Sequence, residues 1–287
     1  MLTLRAGRAS LVLAPEAGGA ILGWSLGAVA LLRPADANAV MRNEARGMGC
    51  FPLMPYANRI AAARFPWAGQ AVRLARNFGD HPHSLHGLGW RRPWTVTAVA
   101  PAGATLSLAH DGTGPDWPFA FEAEQRFTLT PAALRVDLRI VNRHPAPAPA
   151  GLGLHPFFPR PAGASLRFAA ASVWETDATA LAVRHGPVPA AWAHDAGQTV
   201  GACALDHCFS GWDGHARLGL GAVVMDIEAS DVFSHLQVFT PPGQRFFCVE
   251  PVTHRPDAIN DNSGQGMHRL AANEPLTGSV TFRISEP

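Results

Sequence analysis

Glu250 is the carboxylate of this sequence whose surroundings most favour chemistry. It follows the apolar run Phe246–Val249 and directly precedes Pro251. The run predicts a buried strand, and a carboxylate at the mouth of such a strand is partly desolvated, which raises its pKa and suits a general base. A buried ion pair with one of the arginines explains the same residues equally well, so the sequence leaves both interpretations open.

His155 has a similarly apolar setting, since Leu154 precedes it and Pro156–Phe158 follow. A lone histidine among such neighbours is more often a hydrogen-bonded core residue than a catalytic group. Imidazole is also the side chain whose charge changes most easily near neutral pH. His155 and Glu250 together are therefore candidates for acid/base chemistry.

Several other reaction classes lack the residues that they need. All 23 cationic residues are arginines, and the absence of lysine excludes Schiff-base enzymes, lysine-anchored pyridoxal phosphate enzymes and Walker-type phosphate loops. No G-x-G-x-x-G motif opens a helix, which argues against dinucleotide binding. A cysteine nucleophile is not excluded, but Cys208 and Cys248 lie in apolar runs that raise the pKa of a thiol.

His81, His83 and His86 form a histidine cluster that could indicate a metal site. On a strand, His81 and His83 would share one face, whereas His86 would point to the other, and no carboxylate follows within ten residues. We therefore expect no metal and no cofactor. His81 and His83 are interpreted as surface loop histidines.

The composition indicates a globular protein that is nearly neutral overall. Among 287 residues, Lys+Arg 23 against Asp+Glu 22 gives a net charge of +1, so neither nucleic acid nor an anionic membrane is an expected partner. The uncharged apolar run 17–32 is shorter than the roughly 20 residues of a membrane helix. A secretory leader is an alternative interpretation of this region, but we expect a cytoplasmic protein. The oligomeric state is not predicted.

Alternation of apolar and polar residues predicts many short strands and few helices. It is clearest at Phe121–Leu129 and Leu134–Ile140. Further strands are predicted at Thr95–Val99, Thr105–Leu108, Val223–Ile227, Leu236–Thr240, Phe246–Glu250 and Ser279–Ile284. Only Ala57–Ala63 and Ala178–Arg184 are compatible with short helices. The pattern favours an all-β sandwich or barrel in one domain.

Six segments, taken in their order along the chain, resemble one known family. They are P-Y-A-N-R-I at 55–60, S-L-H-G at 84–87, L-H-P-F-F at 154–158, L-D-H-C-F at 205–209, L-Q-V-F-T at 236–240 and E-P-V-T-H-R-P-D-A-I-N at 250–260. The segments are similar to those of the aldose 1-epimerase (galactose mutarotase-like) family. One such motif is weak evidence, whereas six in the correct order are a specific signal.

The resemblance implies a fold, an activity and a set of site residues. The fold is a single-domain antiparallel β-supersandwich over residues 1–287, with a carbohydrate cleft across one sheet. The activity is interconversion of the α and β anomers of an aldose without cofactor or metal, with Glu250 as general base and His155 as general acid. The residues at positions that hold sugar hydroxyls are Asn58, Arg59, His86, Asp206 and Gln237. Tryptophan or phenylalanine rings would stack on the sugar.

The chain also departs from the family pattern and leaves alternative functions open. Gly151–Leu154 stands where many members have Asn and Thr before the catalytic histidine, which indicates a divergent branch with an unknown sugar. One alternative is a non-catalytic sugar-binding or sensing module on the same scaffold. Another is a hexose-phosphate epimerase, for which Arg91 and Arg92 could clamp the phosphate, although two exposed arginines in a hairpin are the simpler interpretation.

Overall fold

The computed structural model describes residues 1–261 and 266–285. Its strands are β1 (Leu2–Ala6), β2 (Ala9–Ala14), β3 (Ala20–Leu26), β4 (Val29–Ala30), β5 (Cys50–Leu53), β6 (Arg59–Ile60), β7 (Arg64–Trp67), β8 (Gln70–Arg73), β9 (Ser84–Leu85), β10 (Thr95–Ala100), β11 (Gly103–His110), β12 (Phe121–Thr130), β13 (Ala133–Asn142), β14 (Ala148–Ala150), β15 (Gly153–Pro159), β16 (Ser165–Phe168), β17 (Ser172–Thr176), β18 (Ala182–Gly186), β19 (Gln198–Thr199), β20 (Asp206–Ser210), β21 (His215–Gly219), β22 (Val224–Ala229), β23 (His235–Phe239), β24 (Phe246–Val252), β25 (His268–Leu270) and β26 (Pro275–Ser285).

Helical structure in the described residues is sparse. The α-helix α1 covers Ala37–Met41, and its N-terminus is capped by the Asp36 carboxylate. Short 3₁₀ helices lie at Ala45–Gly47, Ala61–Ala63, Gly89–Arg91, Ala190–Trp192 and Ala258–Asn260. None of these helices has the length and apolar character that crossing a membrane would require.

Two large antiparallel sheets form the body of the protein. The first sheet has 11 strands in the order β1-β2-β3-β5-β15-β24-β23-β20-β17-β18, with β4 paired to β3. The second sheet has nine strands in the order β10-β11-β12-β13-β26-β22-β21-β16-β19. The predicted all-β antiparallel sandwich is confirmed, and every predicted strand overlaps an observed one.

The core lies between the two sheets because the strands alternate buried and exposed side chains. Along β12, Phe121 and Phe127 are buried while their chain neighbours face solvent. Phe282 of the second sheet packs edge-on against Trp24 and near Phe158 of the first, with ring centroids 6.3 and 6.2 Å apart. These contacts hold the sheets face to face.

The first sheet is buried on both of its faces near β24. Phe247 and Val249 point into the core between the sheets, whereas Cys248 packs in a second apolar cluster on the outer face. Loop residues of the chain between β4 and β10 cover this outer face. Glu250 therefore lies inside a strand that continues to Val252, and the expectation that it ends the strand is wrong.

Both predicted helical patches are wrong. Ala57–Ala63 forms the short strand β6 and a 3₁₀ turn, with positive φ angles at Asn58 and Ala62 that no α-helix contains. Ala178–Arg184 forms a turn leading into β18. An alanine-rich sequence favours helix, but backbone N–H groups of the first patch donate to tertiary side chains, such as Ala62 to His83 Nδ1 at 3.0 Å.

Candidate active site

Neighbouring strands in the middle of the first sheet position the central residues of the site. His155 on β15 pairs with Phe51 on β5, and Glu250 on β24 pairs with Gln237 on β23. Because β15 and β24 are adjacent and side chains on one face of a sheet lie side by side, the four residues form a row across the outer face.

This row forms the floor of a cavity of about 270 Å³. All seven residues predicted for the site line the cavity, namely Asn58, Arg59, His86, His155, Asp206, Gln237 and Glu250. The structure therefore brings together side chains from segments that are nearly 200 residues apart in the sequence. Their individual roles stay predictions.

His155 and Glu250 are in contact at the floor of the cleft. The Nε2 atom of His155 lies 3.4 Å from a carboxylate oxygen of Glu250, and the two side chains are 12% and 3% exposed. The imidazole stacks against the rings of Phe51 and Phe157, with centroids 4.6 and 4.5 Å away. The aromatic rings therefore fix the plane of the imidazole beside the carboxylate.

Burial shifts both pKa values toward the uncharged forms. Desolvation lowers the pKa of His155 to about 3, and nearby Arg33 and Arg59 add to that shift. Desolvation and Asp206 raise the pKa of Glu250 well above its usual value, against the opposing charge of Arg59. Burial therefore favours the protonated carboxyl group of Glu250 and the uncharged imidazole of His155. The raised pKa agrees with the sequence argument, and the group at ion-pair distance from Glu250 is His155 rather than an arginine.

His86 is held as a neutral hydrogen-bond donor. Its Nδ1 accepts the backbone N–H of Asn58 at 3.0 Å, and the backbone N–H of His86 donates to the Asn58 carbonyl oxygen at 2.8 Å. Because Nδ1 is an acceptor, the proton of the neutral ring lies on Nε2. Desolvation by burial, followed by the charge of His155, lowers the pKa of His86 well below its usual value. The neutral ring can therefore donate one hydrogen bond to a ligand.

Gly87 is required by packing, not by the approach of a ligand to the backbone. Its φ is +67°, and a Cβ at this position would lie 2.2 Å from the carbonyl oxygen of Met54. The glycine lets the loop after β9 lie directly against the end of β5. It thereby sets the position of His86 beside the sheet.

The segment that follows β24 holds the loop carrying Asn58 and Arg59. The Nε2 atom of His254 accepts the Ala57 N–H at 3.2 Å, and the Asp257 N–H donates to the Arg59 carbonyl oxygen at 2.8 Å. The Arg59 guanidinium donates to Asn58 Oδ1 at 3.1 Å. The E-P-V-T-H-R-P-D-A segment therefore supplies Glu250 and also positions two predicted binding residues.

The Gly151–Leu154 segment, where the chain departs from the family pattern, has a structural explanation. A Cβ on Gly151 would lie 2.4 Å from the His254 ring, so glycine is needed for the imidazole to reach Ala57. Leu152 and Leu154 are buried in the core between the sheets. The departure from the family pattern is thus explained by side-chain packing behind the cleft.

Asp206 and Gln237 form a hydrogen-bonded pair on the opposite side of Glu250 from His155. The Nε2 of Gln237 donates to Asp206 Oδ1 at 2.7 Å. Burial raises the pKa of Asp206, and the positive charge of Arg59 partly offsets this effect. The pair offers a carboxylate acceptor to a ligand in the cleft.

Buried polar atoms without a partner are concentrated around this cleft. Among the residues that the structure describes, six enclosed side-chain nitrogen or oxygen atoms make no hydrogen bond. Four of them belong to residues that line the cleft: Arg33, Arg59, His155 and Gln237. Unpaired buried polar groups are rare in folded proteins and recur where function requires them. Their distribution supports the cleft as the functional site.

Sequence reasoning missed most of the aromatic and basic lining. The rings that line the cleft are phenylalanines, at positions 51, 78, 157, 239 and 246, and no tryptophan of the described chain contributes. Arg33 and Arg46 also line it. Alternation along β24 could have identified Phe246, which lies on the same face as Glu250. Phe78 lies in a loop and Arg46 in the short 3₁₀ helix Ala45–Gly47, where no periodic signal exists.

The predicted histidine cluster is divided in the structure. His86 lies in the cleft, with its ring centroid 5.4 Å from that of His155. His81 and His83 lie together, with ring centroids 5.1 Å apart. His83 is buried, and its ring forms hydrogen bonds with Thr179 and with the backbone N–H of Ala62. The interpretation of His83 as a surface histidine is therefore wrong.

A different group has the geometry to hold a metal ion. One ligand atom each from His155, Cys248 and Glu250 lies within 4.8 Å of the others, and no further such group occurs in the described chain. Histidine, cysteine and glutamate are all zinc ligands. The sequence does not indicate this group, because Cys248 lies in an apolar run that raises the pKa of its thiol. The expectation that no metal takes part is untested.

Three other features do not form a site. Arg91 and Arg92 pair with Asp116 at 3.8 and 2.5 Å and do not line the cleft, so they cannot clamp a phosphate there. A groove of about 610 Å³ on the second sheet is lined by charges that pair with each other, including Arg217 with an aspartate at 3.4 Å. The sequence G-W-S-L-G at Gly23–Gly27 matches the G-x-S-x-G motif of serine hydrolases. In those enzymes the serine lies at a strand-to-helix turn, whereas here it lies within β3.

Comparisons with known proteins agree with this geometry. The family model for aldose 1-epimerase matches residues 1–283. The uncharacterised Escherichia coli K12 protein YphB is 28% identical over 291 residues, covering 94% of this chain and 93% of that protein. A crystal structure from Escherichia coli K12, described provisionally as an aldose 1-epimerase, has a TM-score of 0.90 at 27% identity and covers 99% of this chain and 98% of the other.

A second solved structure shows the same fold. The galactose 1-epimerase of Lactobacillus acidophilus NCFM has a TM-score of 0.82 at 17% identity, covering 99% of this chain and 93% of that one. Its likeness extends over the sheets that form the cleft. With the family model covering nearly the whole sequence, this chain belongs to the aldose 1-epimerase family.

Proposed function

We propose that this protein is an aldose mutarotase, which interconverts the α and β anomers of a sugar without a cofactor. The observation that carries the proposal is the contact between His155 and Glu250, 3.4 Å apart in a cleft of about 270 Å³. Two ionisable groups at this distance can act on the two oxygens of one hemiacetal, the C1 hydroxyl and the ring oxygen.

In the proposed reaction, Glu250 is the base and His155 is the acid. The Glu250 carboxylate takes the proton of the C1 hydroxyl, the bond between C1 and the ring oxygen breaks, and the His155 imidazolium gives its proton to the ring oxygen. Rotation about the C1–C2 bond turns the aldehyde. Closure by the reverse proton transfers gives the other anomer, so protons and electrons balance without an oxidant.

Burial favours the protonation state that ring opening produces. After opening, Glu250 carries a proton and His155 is uncharged, which is the state that burial favours for both groups. Before opening, both groups are charged. The guanidinium of Arg59 and the hydroxyls of the bound sugar stabilise the Glu250 carboxylate in that state.

Five residues around the pair are proposed to hold the sugar hydroxyls. They are Asn58, Arg59, His86, Asp206 and Gln237. Arg59 and the Nε2 of His86 supply donors, and the Asp206 carboxylate supplies an acceptor. The phenylalanine rings of the lining supply the apolar surface on which a sugar face packs.

Anomer-exchange NMR on freshly dissolved sugars tests the proposal. A panel of neutral, carboxylated and phosphorylated aldoses is compared with and without the enzyme. Catalysed exchange that disappears in Glu250→Gln supports mutarotation by this pair. Sugar binding without exchange above the uncatalysed rate would instead assign the chain as a non-catalytic sugar-binding module.

Several properties remain predictions from the sequence alone. We place the protein in the cytoplasm and treat residues 1–287 as one domain. We expect neither a metal nor a nucleic-acid or membrane partner, because the net charge is +1 and the reaction requires only proton transfers.

A further inference from the structure

Arg33 and Arg46 line the cleft but have no part in the proposed proton transfers. With Arg59, they give the cleft three guanidinium groups. Its lining carboxyl groups are those of Asp206 and Glu250. Because burial favours the uncharged form of Glu250, positive charge exceeds negative charge in the empty cleft.

The guanidinium of Arg33 is held in place by uncharged partners. Its Nη2 donates to the carbonyl oxygens of Arg46 and Met48, at 2.7 Å each. Its Cζ lies 3.8 Å from the ring centroid of Phe157 and 4.7 Å from that of Phe246. Carbonyl groups and aromatic faces orient the cation but do not neutralise it. The charge of Arg33 is therefore fixed and available to a ligand.

Arg46 contributes a second cation that is only partly neutralised. It packs over the ring of Phe78, with its Cζ 4.6 Å from the centroid, and pairs with Glu44 at 2.7 Å. Glu44 also pairs with Arg42 at 3.4 Å. One carboxylate shared by two guanidinium groups leaves a net positive charge at the rim of the cleft.

We propose that the natural aldose carries an anionic group, a carboxylate or a phosphate, which Arg33 and Arg46 bind. Arginine is suited to both groups because its planar fork of N–H donors matches their oxygens. Arg33 lies over the ring of Phe157, and the same ring stacks against His155. The anionic group would thus lie in the same cleft as the reacting C1 atom, on a carbon other than C1. This inference rests on the proposed function and names its substrate class.

Matched sugars of one stereochemistry provide the first test. Anomer-exchange rates are measured for a neutral hexose, the corresponding hexuronate and the hexose 6-phosphate at low and high sodium chloride. We expect kcat/KM for one anionic sugar to exceed that for the neutral hexose by about tenfold or more, the effect of one charge-assisted hydrogen bond. The advantage should shrink at high salt. The preferred anion distinguishes carboxylate from phosphate.

Arg46→Gln provides the second test, with Arg42→Gln as its control. Both arginines pair with Glu44, but only Arg46 lines the cleft. We expect Arg46→Gln to lower the ratio of anionic to neutral kcat/KM about tenfold, and Arg42→Gln to leave that ratio unchanged. Using the ratio cancels any general damage to the fold.

Two outcomes separate this inference from the proposed function. A neutral hexose that is exchanged as fast as both anionic sugars overturns the anionic substrate while leaving mutarotation intact. If no aldose is exchanged, the proposed function fails. Titration calorimetry with the same three sugars then decides the inference, since tighter binding of an anionic sugar supports it and equal binding overturns it.

Discussion

Strand β24 presents two buried faces with opposite properties. Phe247 and Val249 face the core between the sheets, where apolar side chains meet apolar side chains. Cys248 and Glu250 lie on the outer face, the cleft face, where burial raises the pKa values of both groups. The same loss of water stabilises the fold on one face and shifts proton affinities on the other. Burial by itself therefore does not separate core from site; the chemistry of the buried groups does.

The largest expected effect is that of Glu250→Gln on the cleft face. The amide keeps the shape of the side chain but cannot take a proton, so turnover should fall by about 10²–10⁴-fold. Sugar binding should remain close to wild type. Polarimetry with the best sugar and calorimetry measure the two effects. Retention of more than half of the wild-type turnover would show that Glu250 is not the base.

Val249→Ala is the matched control on the core face of the same strand. Val249 is fully buried among apolar side chains. The substitution should lower the free energy of unfolding by about 2 kcal/mol while keeping turnover within the same order of magnitude. If each variant impaired both properties equally, the two faces would not be functionally distinct.

His155→Asn should reduce turnover by about 10²–10⁴-fold as well, since asparagine cannot donate a proton to the ring oxygen. A second readout is the stability at acid pH. Because the folded-state pKa of His155 is about 3 against the usual 6.5, the unfolded chain takes up a proton that the folded chain does not. This costs wild-type stability as pH falls below 6.5. The variant should lose less stability over that range, and an unchanged acid-side melting curve would contradict the assigned burial.

His86→Ala tests a smaller contribution to the cleft face. Losing the Nε2 donor should raise KM by about tenfold, the cost of one hydrogen bond to a ligand. His83→Ala is the control, because His83 is equally buried but lies outside the cleft. It should lower the melting temperature and leave KM unchanged. Equal effects on KM would indicate that the histidines act as one group.

A fourth effect concerns the loss of stability as pH rises above 4.5. The folded chain retains a proton on Glu250 that the unfolded chain releases, because the folded-state pKa is raised above 4.5. Wild-type stability is therefore lost as pH rises above the unfolded-state value. The melting temperature of Glu250→Gln should exceed that of wild type by a margin that grows as pH rises above 4.5 and is on the order of a few degrees. A margin that is independent of pH would contradict the raised pKa.

No effect at all is expected from chelation. His155, Cys248 and Glu250 could hold a metal ion by geometry, but two proton transfers are sufficient for mutarotation. Turnover should be the same before and after dialysis against a strong chelator. Loss of activity with recovery on addition of zinc would show that this group is a metal centre.

The core face was more predictable from the sequence than the cleft face. Alternation between Phe121 and Leu129 predicts a strand because one face of the strand packs against the core, and this pattern does not depend on the surrounding loops. The position of Glu250 within its strand depends on loops that cover the outer face, and those loops have no periodicity. The cleft residues were found by resemblance of short segments to a known family. Arg46 and Phe78 lie outside those segments and could not be found in this way.

The segment from Glu250 to Asp257 joins the proposed acid/base pair to the loop that carries Arg59. An insertion or deletion within it would displace Asp257 from the Arg59 carbonyl oxygen, so its length is constrained. The Arg46 side chain has no such constraint, because it lies at the rim and is 44% exposed. We expect a new sugar specificity to evolve, or to be engineered, by exchange of rim side chains around an unchanged Glu250–Asp257 segment.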